Sequence, residues 1–216
     1  MKKHGIIFVT GIDTGVGKTV ATGVLARSFM DQGLKTATVK LVETGNRGRT
    51  SMDVKVHRKL MKTKLPEDKE GLTSPAIFKL PASPALAAKA EGKKFDVKAA
   101  VAAARKVAGR YDVTLVEGAG GLMVPLTEKI TTLDLIKAEK WPVAVVTCGR
   151  LGDINHSLLT LEALKFNKVK IASVVFNAFV TDADARVGED CKAQVRDWMK
   201  KNTPELELTL IKEMGK

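Results

Sequence analysis

Thr10-Gly11-Ile12-Asp13-Thr14-Gly15-Val16-Gly17-Lys18-Thr19 follows the first apolar run of the chain and opens a segment of helical period. A glycine-rich turn ending in Gly-Lys-Thr between a strand and a helix is the context of a phosphate-binding loop. Backbone N–H groups of residues 14–19 are expected to cradle phosphate oxygens at a helix N-terminus, where the helix dipole also favours negative charge. In that arrangement Lys18 neutralises β- and γ-phosphate charge, and the Thr19 hydroxyl ligates Mg²⁺. The loop is a longer variant. The usual first glycine of the pattern falls at Ile12, and Gly11 leaves five residues before Gly17.

Outward from this loop, short β-rich apolar runs alternate with longer helical patterns. Strands are predicted at 6–10, 36–40, 113–117, 143–147 and 171–177, with a weaker one at 206–211. A helix is predicted from Lys18 to Gln32, ending at Gly33. Val97, Val101, Ala104 and Ala108 recur at helical spacing, as do Ile154, Leu158, Leu161 and Leu164, and Val187, Cys191, Val195 and Trp198. Near-continuous apolar strands alternating with helices predict an α/β fold: one domain over residues 1–216, a P-loop NTPase-like parallel sheet with helices on both faces. Ligands of such sheets sit at the carboxyl ends of the strands. The stretch 62–84 carries Pro66, Pro75, Pro81 and Pro84 and reads as a functional loop over the sheet edge.

Composition agrees with this class. A chain of 216 residues buries roughly 70% of its unfolded surface and needs no disulfide or metal staple. Its 44% hydrophobic and 28% charged residues argue against disorder. No apolar run reaches the ~18–20 residues of a membrane span. The start, Met-Lys-Lys-His-Gly-Ile-Ile-Phe-Val-Thr, reads as a first strand and not as a signal peptide. Cys148 and Cys191 lie far apart and match no metal spacing, so a reduced cytoplasm is expected. The net charge of +12 raises nucleic acid as a partner. However, the lysines are dispersed and only 5% of residues are aromatic, so stacking platforms are scarce. A solvated basic surface with anionic small-molecule ligands is the expectation, with neither nucleic acid nor membrane as partner.

The other chemistry-bearing residues cluster at strand ends. Glu117 closes the 113–117 run and leads into Gly118-Ala119-Gly120-Gly121. A carboxylate there, beside a phosphate loop, is the expected second Mg²⁺ contact, and the glycines let backbone approach a charged ligand. Lys40 ends the second strand, where it either holds a γ-phosphoryl group or merely snorkels to solvent. Asp53, before a helical stretch, is either a third Mg²⁺ contact or an acid at a helix start. The segment from Cys148 to His156 joins a strand to a helix and offers another anion-binding helix start. Asn177, at a strand end, either reads a nucleotide base with its amide or is a turn residue. His4, His57 and His156 form no local ligand pair, and His156 is expected to be a hydrogen-bonded structural residue.

These residues together resemble dethiobiotin synthetases. The resemblance runs from about residue 5 to Asn177. It rests on the loop from Gly11 to Thr19, on Lys40-Leu41-Val42-Glu43-Thr44-Gly45, and on Pro81-Ala82-Ser83-Pro84. It rests also on Val116-Glu117-Gly118-Ala119-Gly120-Gly121 with Pro125-Leu126, and on Leu151-Gly152-Asp153-Ile154-Asn155-His156. The resemblance implies a ligase that carboxylates 7,8-diaminopelargonic acid with CO₂ and closes a cyclic urea at the expense of ATP. Thr19, Asp53 and Glu117 are then the Mg²⁺ ligands. Lys18 and Lys40 bind the γ-phosphoryl group and the carbamate, with Lys40 as the catalytic lysine. Thr14, Gly15, Val16, Gly17, Gly118, Ala119, Gly120 and Asn177 fall at nucleotide-binding positions. Thr44 falls at a substrate-contacting hydroxyl. The family's site lies at a homodimer interface, and the helix start at Leu151, Gly152 and Asn155 of the neighbouring subunit binds the substrate carboxylate.

The chain departs from the family pattern in places. Leu41 stands where a proline usually follows the catalytic lysine, and the loop between Lys40 and Asp53 is short. No Gly-x-x-Pro segment follows Pro204, so the usual adenine-lining piece is missing from the sequence. Two rival readings share the loop. A partitioning-type ATPase carries a signature lysine early in it, where this chain has Asp13. An amide-forming synthetase of cobalamin synthesis needs a further glutaminase domain, for which 216 residues leave no room.

Overall fold

The computed structural model describes residues 5–182 and 184–211. His4 and residues 212–216 lie outside the described residues. In chain order the elements are β1 (Gly5–Gly11), α1 (Lys18–Asp31), β2 (Thr36–Lys40), β3 (Glu43–Thr44), α2 (Met52–Met61), a 3₁₀ turn (Pro66–Asp68), β4 (Ile77–Phe78), α3 (Pro84–Ala90) and α4 (Val97–Ala108). They continue with β5 (Val113–Glu117), α5 (Thr132–Glu139), β6 (Val143–Gly149), α6 (Asp153–Phe166), β7 (Ile171–Thr181), α7 (Ala185–Asn202) and β8 (Leu208–Ile211).

Six strands form one sheet in the order β2-β5-β1-β6-β7-β8, every neighbouring pair parallel. Helices cover both faces, which is why β2, β5 and β6 are buried along their whole length and read as continuous apolar runs. Phe8, Val9, Val39, Leu115, Val145 and Val174 are fully enclosed in the core, each contributing roughly 1.5–3 kcal/mol of hydrophobic stabilisation. The sheet order matches the expected class, and the five main strands fall where the apolar runs place them. The chain leaves β1 to one side for β2 and β5 and returns to the other for β6. The crevice at this switch point is where a ligand of an open parallel sheet sits.

Two features were not legible beforehand. β3 and β4 form a separate two-stranded parallel ribbon. It ties the 62–84 stretch to the end of β2, through Lys40 N–H to Thr73 O (2.8 Å) and Glu43 N–H to Ala76 O (2.9 Å). That stretch is therefore a fixed wall beside the edge strand. Helices α3 and α5 start at well-defined caps. Ser83 Oγ accepts from Leu86 N–H, and Thr131 and Asp134 make a reciprocal capping box. Among the described residues no helix is long and apolar enough to cross a membrane.

Candidate active site

The loop after β1 owes its shape to two glycines. Gly15 and Gly17 take φ of +76° and +85°, a left-handed region that side chains with a Cβ rarely enter. Gly17 is also the N-cap of α1 and supplies no side-chain cap. The first-turn N–H groups of that helix are thus left for an external acceptor. Lys18 lies over the loop, its Nζ donating to Asp13 O at 2.7 Å.

Parallel pairing brings the charged groups to the loop. Lys40 and Glu117 are register partners at the ends of β2 and β5, and α2 packs beside α1, carrying Asp53 in its first turn behind the Ser51 cap. Lys40 Nζ lies 2.6 Å from Asp53 Oδ2, 2.7 Å from Glu117 Oε1 and 3.1 Å from Gly118 O. Thr19 Oγ1 is 3.0 Å from Asp53 Oδ1 and 3.1 Å from Glu117 Oε1, and with one hydroxyl hydrogen it donates to one of them at a time. Asp53 is thus the first-turn acid of α2, with Ser51 and not Asp53 as the N-cap, and it also meets Lys40 and Thr19.

Burial opposes charge on both members of the central pair, yet both are ionised. Desolvation works against the Lys40 ammonium, but Glu117 and Asp53 hold its pKa above the usual lysine range. Desolvation likewise works against the Glu117 carboxylate, but Lys40 and His57 hold it well below the usual carboxylate range. Lys18 is pulled down to about 8, first by burial and then by the nearby Lys40 cation. The charge of an incoming anion would favour the Lys18 ammonium against both effects.

A cavity of about 540 Å³ opens over this cluster. One wall is the loop with Thr14, Gly15, Gly17, Lys18 and Thr19, and its floor is Lys40, Asp53 and Glu117. Thr44 faces them with the Pro81–Pro84 segment, and Ala119, Gly120 and Val124 close the side. The oxygen set of Thr19, Asp53 and Glu117 suits a hard divalent cation such as Mg²⁺. Among the described residues no group of three or more His, Cys, Asp or Glu side chains converges as a metal cage. A small cation here would draw its remaining ligands from phosphate oxygens and water, as Mg²⁺ commonly does.

A family model described as an AAA domain matches residues 6–211. An ATP-dependent dethiobiotin synthetase of Haemophilus influenzae is 45% identical over 175 residues, 81% of this chain and 91% of that one. One from Pasteurella multocida is 40% identical over 200 residues, 92% of this chain and 93% of that one. One from Chlorobaculum tepidum is 39% identical, over 92% of this chain and 83% of that one. The chain belongs to the dethiobiotin synthetase family. Solved structures place this dethiobiotin synthetase family member among related sheets. A chain of the MinC:MinD cell division protein complex of Aquifex aeolicus aligns with TM-score 0.51 at 15% identity, covering 97% of this chain and 82% of that one. A ParA family ATPase from Chlorobium tepidum aligns with TM-score 0.50 at 14% identity, covering 89% and 81%. At such identities the likeness is one of fold alone.

Not every expected site residue of this family member lies in the cavity. Val16 is buried in the core, so its contribution to a ligand is limited to its backbone. Gly118 reaches the cluster through its carbonyl, which accepts from Lys40. Asn177 also lies outside the lining of this cavity. It is 2% exposed, donates from Nδ2 to Val16 O at 3.0 Å and accepts at Oδ1 from Phe179 N–H at 3.1 Å. The amide braces the loop from behind and does not line the cavity. Leu151, Gly152 and Asn155 are outside this cavity of their own chain; Leu151 and Asn155 are exposed at the start of α6. His156 is exposed, not a hydrogen-bonded structural residue; it borders a shallow groove with Leu159 and Met123.

The sequence reading missed His57. Fully buried, it places Nε2 2.7 Å from Glu117 Oε2. The signal was there: Asp53 and His57 stand one turn apart on α2, on one helix face.

Proposed function

We infer that this protein is an ATP-dependent dethiobiotin synthetase acting in biotin biosynthesis, with the cavity over Lys18, Lys40, Asp53 and Glu117 as its active site in a single domain. The observation that carries the reading is the meeting of the phosphate loop with a buried lysine bridging two carboxylates, in a chain closely related to dethiobiotin synthetases.

One amine of 7,8-diaminopelargonic acid takes up CO₂ and loses a proton, giving a carbamate. A carbamate oxygen attacks the γ-phosphorus of ATP, ADP leaves, and a carbamic–phosphoric anhydride forms. The second amine attacks the carbonyl carbon and loses a proton, phosphate departs, and the cyclic urea closes. The substrate supplies every nucleophile, so the protein positions groups and offsets charge. The loop N–H groups and Lys18 hold the triphosphate. Lys40 holds the carbamate and the transferring phosphoryl group, and Thr44 orients the diamine. Thr19, Asp53 and Glu117 would hold Mg²⁺, which when bound neutralises phosphate charge.

The working unit in this reading is a homodimer. Leu159 and Phe166 are 61% and 87% exposed on α6, with Met123 68% exposed beside the groove under that helix. Such an apolar face suits a second copy. The helix start at Leu151, Gly152 and Asn155 then serves the partner's cavity and receives the substrate carboxylate. Two free buried cysteines accord with a reducing cytoplasm.

The deciding experiment is phosphate release from ATP with Mg²⁺, with and without diamine and bicarbonate. Turnover should require both, and mass spectrometry should find the ureido product. Rapid diamine-independent hydrolysis without that product would replace this reading with a partitioning-type ATPase.

A further inference from the structure

Among the described residues the His57 side chain makes one polar contact, and it is to the far oxygen of Glu117. Both side chains are fully buried, 2.7 Å apart. A carboxylate only accepts, so Nε2 carries the proton and donates. Nδ1 is buried and finds no partner among the described residues. A histidine kept only to fill the core would be better replaced by an aliphatic residue, which has no nitrogen to desolvate. Its other nitrogen being unpaired, the imidazole's polar role is concentrated on Glu117.

The two ends of that carboxylate are held differently. Oε1 faces Lys40 and Thr19 at 2.7 and 3.1 Å, which is the side of the cavity. Oε2 is occupied by the imidazole. The imidazole thereby fixes the rotation of the carboxylate and keeps Oε1 aimed at the cluster. The helix carrying His57 is itself anchored. Arg58 donates to Thr38 Oγ1 at 2.7 Å and to Asp68 through Nε at 2.8 Å. At Gly23 an added Cβ would come within 2.6 Å of the Leu60 side chain, so α1 and α2 approach closely because that position has no side chain.

We propose that His57 is a positioning residue that orients Glu117 for the divalent cation accompanying the nucleotide. The proposal rests on the reading of Glu117 as a metal ligand. Hydrogen bonds to ligating carboxylates tune a metal site from behind, and their loss typically lowers affinity or activity by about 10–100-fold.

The test uses the full chain, with Mn²⁺ as the probe and a non-hydrolysable ATP analogue present, read by electron paramagnetic resonance. The variants are His57→Asn, His57→Gln, His57→Leu and Glu117→Ala, with circular dichroism as the folding control. Gln places an N–H near the position of Nε2, whereas Asn is equally polar but too short to reach Glu117. His57→Asn and His57→Leu should weaken Mn²⁺ binding by about 10–100-fold, and His57→Gln should stay within about threefold of the parent. Unchanged affinity in His57→Asn would overturn the proposal. So would a His57→Gln variant as weak as His57→Asn, because only ring shape would then matter. If His57→Leu does not fold, the two amides carry the comparison; loss of fold in both would make His57 purely structural and overturn the proposal. Glu117→Ala separates the premise from the inference. If Mn²⁺ affinity survives that change, Glu117 is not a metal ligand and both fall. If it drops while His57→Asn does not, the inference falls alone.

Discussion

Lys40 and Glu117 end neighbouring parallel strands on the same rung, and their charged atoms meet at 2.7 Å in a buried contact. Pairing on this rung sets a cation at the mouth of the phosphate loop without any loop having to position it. Lys40→Ala should lower the chemical step by about 10²–10³-fold, because one positioned cation at a transferring phosphoryl group contributes a few kcal/mol. Nucleotide affinity should fall less, since the loop backbone remains. Single-turnover product formation and equilibrium nucleotide binding separate the two effects, and an unchanged chemical step would leave Lys40 a charge partner only.

Gly17 cannot carry a side chain. Its φ is +85°, and an added Cβ would lie 2.0 Å from Asn177 Nδ2. Gly17→Ala should displace Asn177 and distort the loop, lowering the melting temperature and largely abolishing nucleotide binding. Backbone strain alone costs about 1–2 kcal/mol. Calorimetry with and without ATP would check both.

Base selectivity should be weak. Asn177 is engaged with Val16 O and Phe179 N–H, so the triphosphate contacts should provide most of the nucleotide's binding energy. CTP, GTP and UTP should give kcat/KM within about one to two orders of magnitude of ATP, or about 1.4–2.8 kcal/mol. Asn177→Ala should weaken all four nucleotides alike by loosening the loop. A loss confined to ATP would show that the amide reads adenine after all.

Association should depend on the apolar face of α6. Phe166→Glu combined with Leu159→Lys should shift sedimentation toward the monomer and remove diamine turnover, while Asn155→Ala should raise the diamine KM more than the ATP KM. A fully active monomer would exclude a shared site.

The two thiols give a pH signature. Burial pushes Cys148 up to about 12, assisted by its contact with Asp153, and burial pushes Cys191 up to about 11. The folded chain therefore holds more protons than the unfolded chain above the ordinary thiol range. Stability from these groups is complete below about pH 8.5 and is lost as pH rises toward 11–12. Urea midpoints should fall over that range, and less steeply in a Cys148→Ala, Cys191→Ala variant. Both thiols should resist a disulfide reagent until the chain unfolds.

The phosphate loop, the strand-end positions of Lys40 and Glu117, and the parallel α/β class were legible from the chain itself. Each depends on neighbours in sequence: glycines that admit left-handed backbone, an apolar run that stops at a charge, an alternation of periods. The bonds across the site were not legible. Thr19 meets Asp53 across 34 residues, and His57 meets Glu117 across 60. Asn177 turns to the loop 161 residues before it. Those partners are decided by the strand order and by how closely α2 can press on α1 at Gly23. A buried donor takes whichever acceptor the packing brings within reach, and in this protein only the tertiary structure brings Glu117 to His57.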